Sequence, residues 1–236
     1  MIQAVLFDLD GTLLPMEQRT FAKAYFGGLM ERVCPLGYTS ETFMQAMQAG
    51  IAAMVKNDGS RSNEAAFWEA FATVCGKEIL NHGDTFDAFY AERFDDIRAV
   101  CGYNSRAAAC VRELRASGLR VALATNPLFP AVATRKRIRW AGLEPEDFEL
   151  YTTYESIGTC KPNPAYYRTV AARLGVDPTK CLMVGNDVSD DMPAAAVGMK
   201  VFLLTDCLIN TANADISTYP NGGFDELMAY IAALRN

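Results

Sequence analysis

Histidine is almost missing from this chain. One residue in 236, His82, carries an imidazole, and its polar Asn-His-Gly-Asp setting reads as a surface loop. A Ser-His-Asp triad or a histidine-rich zinc site therefore has little to build with. Paired cysteines are missing too. The seven cysteines (34, 75, 101, 110, 160, 181 and 207) are odd in number and scattered, with no C-x-x-C, the usage expected of reduced thiols in a cytoplasmic protein. No apolar stretch approaches the length of a membrane span. The N-terminus lacks a basic start, and its apolar run stops at Asp8, so no secretory leader is expected. Basic charge is also scarce: 22 Lys and Arg face 28 Asp and Glu, a net charge of −6. That balance disfavours nucleic acid and anionic membranes as partners. Internal repeats and low-complexity segments are absent. What remains is a chain that is 50% hydrophobic, long enough for a substantial core in one large or two smaller domains.

The chemistry is concentrated at a few strand ends. The chain opens MIQAVLFDLDGTLL. Residues 2–7 read as a buried strand, which stops at two carboxylates, Asp8 and Asp10, separated by Leu9 and followed by the turn-forming pair Gly11-Thr12. Side chains two apart on a strand end face the same way. Two negative charges then converge, which is unfavourable unless a cation or a shared proton resolves it. A second position is Thr125-Asn126-Pro127, after the strand pattern LRVALA, where a hydroxyl and free amides can bind phosphate oxygens. The third is Lys161, ahead of Pro162 and Pro164, where a helix begins. The fourth is residues 184–191, VGNDVSDD, which place Asp187, Asp190 and Asp191 after another apolar strand. One helix cap accounts for one of these carboxylates, not for three. Oxygen donors without histidine or cysteine point to a hard cation, and Mg²⁺ fits best where a phosphate supplies a further ligand.

The texture changes along the chain. Residues 15–100 show only helical periodicity: Phe21, Tyr25 and Leu29 form one stripe, Met44, Met47, Ile51 and Met54 another, and Phe67, Phe71 and Val74 a third. Phe86, Tyr90 and Phe94 make a fourth. Breaks are expected near residues 34–37, 57–60 and 81–84. From residue 101 onward strands (119–124, 148–153, 181–185, 201–204) alternate with helices (105–117, 129–140, 163–174, 192–197, 224–234), which implies a parallel sheet with crossover helices. Arg135-Lys136-Arg137-Ile138-Arg139 is the strongest basic patch. At helical spacing it goes around the helix and reads as a solvated surface.

In order and spacing, Asp8-Leu9-Asp10-Gly11-Thr12, Thr125, Lys161 and the acidic strand end at Asp187 resemble the four motifs of the haloacid dehalogenase superfamily. The match is to its phosphatase-like members with a helical cap of the first type (phosphoglycolate phosphatase-like). One departure is visible: the last motif usually reads Gly-Asp-x-x-x-Asp, and here Asn186 precedes Asp187. The resemblance implies an α/β fold, a Rossmann-like core with a parallel sheet flanked by helices, spanning residues 1–14 and 101–236. An all-helical cap would be inserted at 15–100. It implies a Mg²⁺-dependent phosphatase acting on a small phosphorylated metabolite through an aspartyl-phosphate. Asp8 would be the nucleophile and Asp10 the acid and base. Thr125 and Lys161, with backbone amides near Leu9 and Asn126, would bind the phosphoryl group. Asp8, Asp10 (through its carbonyl), Asp187 and Asp191 would hold the metal, with Asp190 a competitor for the outer position. A monomer or homodimer is expected. A phosphomutase shares the scaffold; a dehalogenase is disfavoured by Asp10 and the acidic strand end, and a non-enzymatic binding protein by the retention of Asp8, Asp10, Lys161 and Asp187. The inserted segment carries eight Lys and Arg against twelve Asp and Glu, which gives no support for a polyanionic substrate.

Overall fold

The computed structural model describes residues 1–235. Six parallel strands form one sheet in the order β3-β2-β1-β4-β5-β6. They are β1 Ala4–Phe7, β2 Arg120–Leu123, β3 Leu150–Tyr151, β4 Cys181–Gly185, β5 Lys200–Leu204 and β6 Asn221–Gly222. Parallel pairing hides both faces of a strand, and β1 is wholly buried, as its unbroken apolar run requires. Its alternating side chains feed two cores. Val5 and Phe7 join the larger apolar cluster, while Ala4 and Leu6 pack with Tyr166, Tyr167 and Val170 of helix α7 (Pro164–Leu174) in the other. A strand can serve two layers in this way because its side-chain period is two.

The central pairings place the chemistry. Phe7 is in register with Leu123 of β2 on one side and Val184 of β4 on the other. The loops carrying Asp8, Thr125 and Asn186-Asp187 therefore leave the sheet side by side at the carboxyl ends of the strands. That edge, where strand order reverses about β1, is where ligands bind in open α/β sheets.

Between β1 and β2 lie α1 Gln18–Val33, α2 Ser40–Val55, α3 Asn63–Cys75, α4 Gly83–Glu92 and α5 Ser105–Ala116, with no strand among them. Side-chain caps start most of these helices: Glu17 on α1, Thr39 on α2, Ser62 on α3 and Asn104 on α5 each accept from first-turn amides. The helical segment is consistent with an inserted cap. It leaves and returns at one place, where Gly102 N donates to Pro15 O at 2.7 Å and Met16 bridges to Cys101. Beyond β2, α6 spans Ala131–Trp140, and α8, Phe224–Arg235, closes the described chain.

The structure corrects several expectations. The strand expected at 148–153 is two residues long, because Pro145–Asp147 takes a 3₁₀ turn and Tyr154 turns away toward Phe129. Met192–Val197 is a 3₁₀ helix rather than an α-helix. β6 was not expected; its two residues, Asn221 and Gly222, have no apolar signal and pair only through backbone with Leu203 and Leu204. The break expected at 81–84 begins earlier, at Gly76 (φ +88°), and α4 starts at Gly83.

Candidate active site

Asp8 follows β1 directly, and its amide donates to Val184 O at 2.9 Å, so the nucleophile candidate is tied to both central strands. The turn after it is closed by Leu9, whose carbonyl accepts from the Thr12 and Leu14 amides. Gly11 makes this turn possible. Its φ is +83°, and a Cβ there would lie 2.3 Å from Asn186 Nδ2. Thr12 Oγ1 donates to Asn186 Oδ1 at 3.0 Å and lies 3.4 Å from Asp8 Oδ2, and Asn186 Nδ2 donates to Cys207 O at 2.7 Å. Asn186, the departure from the expected motif, thus buttresses the first turn.

Lys161 is the hub. Its Nζ donates to Asp8 Oδ1 at 2.8 Å and to Asp191 Oδ1 at 2.7 Å, and all three side chains are buried. Burial alone would lower the ammonium's pKa, but the Asp191 and Asp8 carboxylates outweigh it and hold Lys161 well above its ordinary value. The Asp191 carboxyl is pushed up by burial, against the pull of Lys161. Its other oxygen accepts from Asp187 N at 3.0 Å. Close approach here depends on Gly185, where a Cβ would sit 2.0 Å from Asp191 Oδ2. Asp191 is therefore engaged in positioning the lysine and the last motif's backbone.

The remaining motif residues ring this hub. Thr125 is buried, with its carbonyl held by Thr152 Oγ1 at 2.5 Å and Tyr166 OH at 2.8 Å, and it lines the cavity. Asn126 Oδ1 accepts from Lys161 N at 3.2 Å, and its Nδ2 donates to Asp190 Oδ2 at 3.1 Å. Asn126 thereby ties the second, third and fourth motifs together, a function the sequence did not reveal. Asp187 Oδ1 accepts from Ser189 N at 2.7 Å and Asp190 N at 3.2 Å. Among the described residues, the Leu9 and Asn126 amides donate to no protein group.

Asp10 brings the largest correction. The basic run of residues 135–139 was expected to be solvated, yet Arg137 is wholly buried; it pairs with Asp10 through Nη1–Oδ2 and lies 4.2 Å from the centroid of the Phe129 ring. One turn of α6 in the run points into the protein because Ala133, Thr134, Arg137 and Ile138 form that helix's buried face. Lys136, beside it, pairs with Asp95 at 2.6 Å. No sequence signal distinguished Arg137 from its basic neighbours. Burial raises the Asp10 carboxyl's pKa, opposed by Arg137 and reinforced by Asp8. Asp10 Oδ1 is buried and unpartnered, which leaves an acceptor or proton carrier facing the site.

The donor chemistry suits a hard cation. Asp8, Asp10, Asp187 and Asp190 all line one cavity, with Asn186 beside them, and they offer oxygen without histidine or cysteine. No three acidic, histidine or cysteine side chains among the described residues form a preassembled cage. A small dication that keeps its waters, takes one or two carboxylates and completes its shell with a phosphate does not need one. The residues fit Mg²⁺ on those terms.

The cavity is about 660 Å³ and reaches from these carboxylates into the helical segment. That segment is clasped over it. Buried Asn63 on α3 donates to Pro127 O at 3.1 Å and Cys160 Sγ at 3.2 Å, and accepts from Asn57 Nδ2 at 2.9 Å. The Glu64 amide donates to Tyr154 O at 2.9 Å.

Comparison with known proteins agrees with this geometry. The sequence profile of haloacid dehalogenase-like hydrolases matches residues 2–198. A ribulose-1,5-bisphosphate 5-phosphatase of Halopiger xanaduensis is 29% identical, over 86% of this chain and 84% of its own. A phosphoglycolate phosphatase of Cereibacter sphaeroides is 28% identical, over 86% and 84%. In fold, the chain is similar to the crystal structure of a 2-haloacid dehalogenase from Pseudomonas syringae, with TM-score 0.68, 19% identity, and 99% and 100% of the two chains covered.

Proposed function

The chain belongs to the haloacid dehalogenase-like hydrolase family, and on that premise we propose that it is a Mg²⁺-dependent phosphatase that hydrolyses a small phosphomonoester through an aspartyl-phosphate on Asp8. The observation that carries this reading is the bridging of Asp8 and Asp191 by buried Lys161, beside an Asp10 whose Oδ1 has no partner. The curated relatives described above are both phosphatases by name, which supports phosphate chemistry over dehalogenation, as does the carboxylate at position 10.

Mg²⁺, held by a carboxylate oxygen of Asp8, the Asp10 carbonyl and Asp187, would neutralise charge on the phosphoryl oxygens. Lys161 fixes Asp8 Oδ1, which leaves Oδ2 to attack phosphorus in line as the bond to the leaving oxygen breaks. Asp10 gives its proton to that oxygen. Its raised pKa suits the step, because more of the acid form survives near neutrality. The alcohol departs, and Asp10, now a carboxylate, takes a proton from a water whose oxygen attacks the phosphorus of the aspartyl-phosphate. Inorganic phosphate leaves and Asp8 is regenerated. Lys161, Thr125 and the Leu9 and Asn126 amides bind the phosphoryl oxygens through both steps. Asp191 holds Lys161 in place and is not a direct metal ligand in this scheme; Asp190 is retained by Asn126. Residues 15–100 serve as the cap that covers the site, with the paired crossings at Pro15 and Gly102 as its hinge.

The test is turnover of a phosphomonoester panel with and without Mg²⁺, with Asp8→Asn as the blank. The expected result is Mg²⁺-dependent release of phosphate, lost by about 10⁴-fold or more in Asp8→Asn. Mg²⁺ at a hundredfold excess over its Kd should stabilise the wild type by about 2.7 kcal/mol, and Asp8→Asn by less. Turnover and melting temperature that both ignore Mg²⁺ would refute the reading.

A further inference from the structure

The cavity holds far more than a phosphoryl group requires. Its volume, about 660 Å³, falls within the roughly 300–1,000 Å³ of sites for whole organic ligands. Nine aromatic side chains line it. Phe129 lies against Arg137, the partner of Asp10, with Tyr25 and Phe21 5.1 and 6.0 Å from it, centroid to centroid. Elsewhere in the lining, Trp68 stands perpendicular to Phe86 at 5.0 Å and to Phe67 at 5.3 Å. These edge-to-face contacts fix the rings in place, so the wall presents a rigid apolar surface. The methionine stripe of α2 contributes Met47, Ile51 and Met54 to the same wall. Packing and cavity lining are thus both met by one helix face.

Charge sharpens the picture. Away from the Asp8–Asp191 cluster, the charged side chains lining the cavity are Glu64 and Asp87, both acidic. The one basic side chain in the lining is Lys161, already held by two carboxylates. An anionic leaving group would find no cation there and two negative charges. Tyr25 and Tyr90, which also line the cavity, share one hydrogen bond between their hydroxyls at 2.7 Å, which leaves one hydroxyl proton free as a neutral donor.

We propose that the substrate is a phosphomonoester whose leaving group carries an aromatic ring and no negative charge. This rests on the phosphatase reading and adds the substrate class. It sets the chain apart from phosphatases whose leaving group carries a carboxylate or a second phosphate.

Matched alkyl esters test it, because they hold the leaving oxygen's chemistry nearly constant. The wild-type protein with Mg²⁺ is compared on 2-phenylethyl phosphate, ethyl phosphate and phosphoglycolate. Burial of a phenyl group, at about 25 cal/mol per Å² of apolar surface, is expected to raise kcat/KM for 2-phenylethyl phosphate over ethyl phosphate by at least tenfold, with phosphoglycolate no better than ethyl phosphate. Trp68→Ala and Phe86→Ala should each reduce the phenylethyl-to-ethyl ratio by threefold or more. A binding arm uses the non-hydrolysable 2-phenylethylphosphonate against ethylphosphonate, read by tryptophan fluorescence. The aromatic phosphonate should bind at least tenfold more tightly. Equal binding of the two phosphonates, or phosphoglycolate turned over as fast as the phenylethyl ester, overturns the substrate class and leaves the phosphatase reading standing. A tenfold binding preference with no turnover of any ester supports an aromatic-ligand site and refutes the phosphatase reading.

Discussion

Replacing Arg137 by methionine would remove a guanidinium that the sequence disguised as surface. The side chain is wholly buried and pairs with Asp10, and its flat face lies against Phe129. Methionine keeps most of the apolar stem and all of the helix propensity, so the lost charge dominates the effect. Breaking one side of a buried ion pair costs about 3–5 kcal/mol, because the partner stays desolvated and unpaired. The Asp10 side chain keeps 21% of its surface exposed, so water partly compensates, and the lower figure of about 3 kcal/mol applies. For a chain of this length that is a fall in melting temperature of about 6–12 °C. The assay is urea unfolding of wild type, Arg137→Met, Asp10→Asn and the double variant. In contact, the two changes should be non-additive, with a coupling of about 2 kcal/mol and the double variant more stable than Arg137→Met alone minus the cost of Asp10→Asn. An Arg137→Met cost under about 1 kcal/mol, the range of an exposed pair, would show that the arginine is solvated and the assignment wrong. So would strict additivity.

Three further outcomes follow from the packing. Gly185→Ala places a Cβ 2.0 Å from Asp191 Oδ2, and that carboxylate cannot retreat without leaving Lys161; a loss of about 1–3 kcal/mol and a steep drop in turnover are expected by denaturation and phosphate release, and a neutral phenotype would contradict the geometry. Asn63→Ala removes the side-chain donor that reaches the Pro127 carbonyl and Cys160 Sγ across the clasp; about 1–3 kcal/mol and faster proteolytic cleavage between residues 15 and 100 are expected, and unchanged cleavage would argue against the clasp. Burial pushes the thiols of Cys110 and Cys160 up to about 12 and that of Cys181 up to about 11. Their folded pKa values lie above the ordinary thiol value, so folding favours the protonated form and its contribution fades as pH rises through that ordinary value toward 11–12. At pH 8, alkylation of the native protein counted by mass spectrometry should spare all three, and their early modification would show that the core opens.

Much of the architecture was readable before any coordinates. β1 was legible because burial on both faces demands an unbroken apolar run, and β4 for the same reason. The two-residue β6 was not, since backbone pairing at Asn221–Gly222 needs no side-chain pattern. Helix stops at Gly118, Gly142 and Gly175 were legible because each takes a left-handed φ that glycine tolerates. Of the candidate site, Asp8, Asp10, Thr125 and Asp187 were legible from residue type and strand-end position and Lys161 from the family resemblance, and all five line the same cavity. Arg137, Thr12 and Asn186 were missed as site residues. Each acts through a contact more than a hundred residues away along the chain, and local sequence carries no record of such a contact.

Local physics thus determined the central strands β1, β2 and β4, where they stop, and that carboxylates cluster at the ends of β1 and β4. Alternation, turn chemistry and unpaired charge are all properties of neighbouring residues. The tertiary structure alone decided that Lys161 takes Asp191 as a partner, that one arginine of a basic run turns inward to Asp10, and that the aromatic stripes of the helical segment line a cavity as well as a core. Those outcomes depend on strand order and helix docking, which bring distant groups to within hydrogen-bonding reach and exclude water around them.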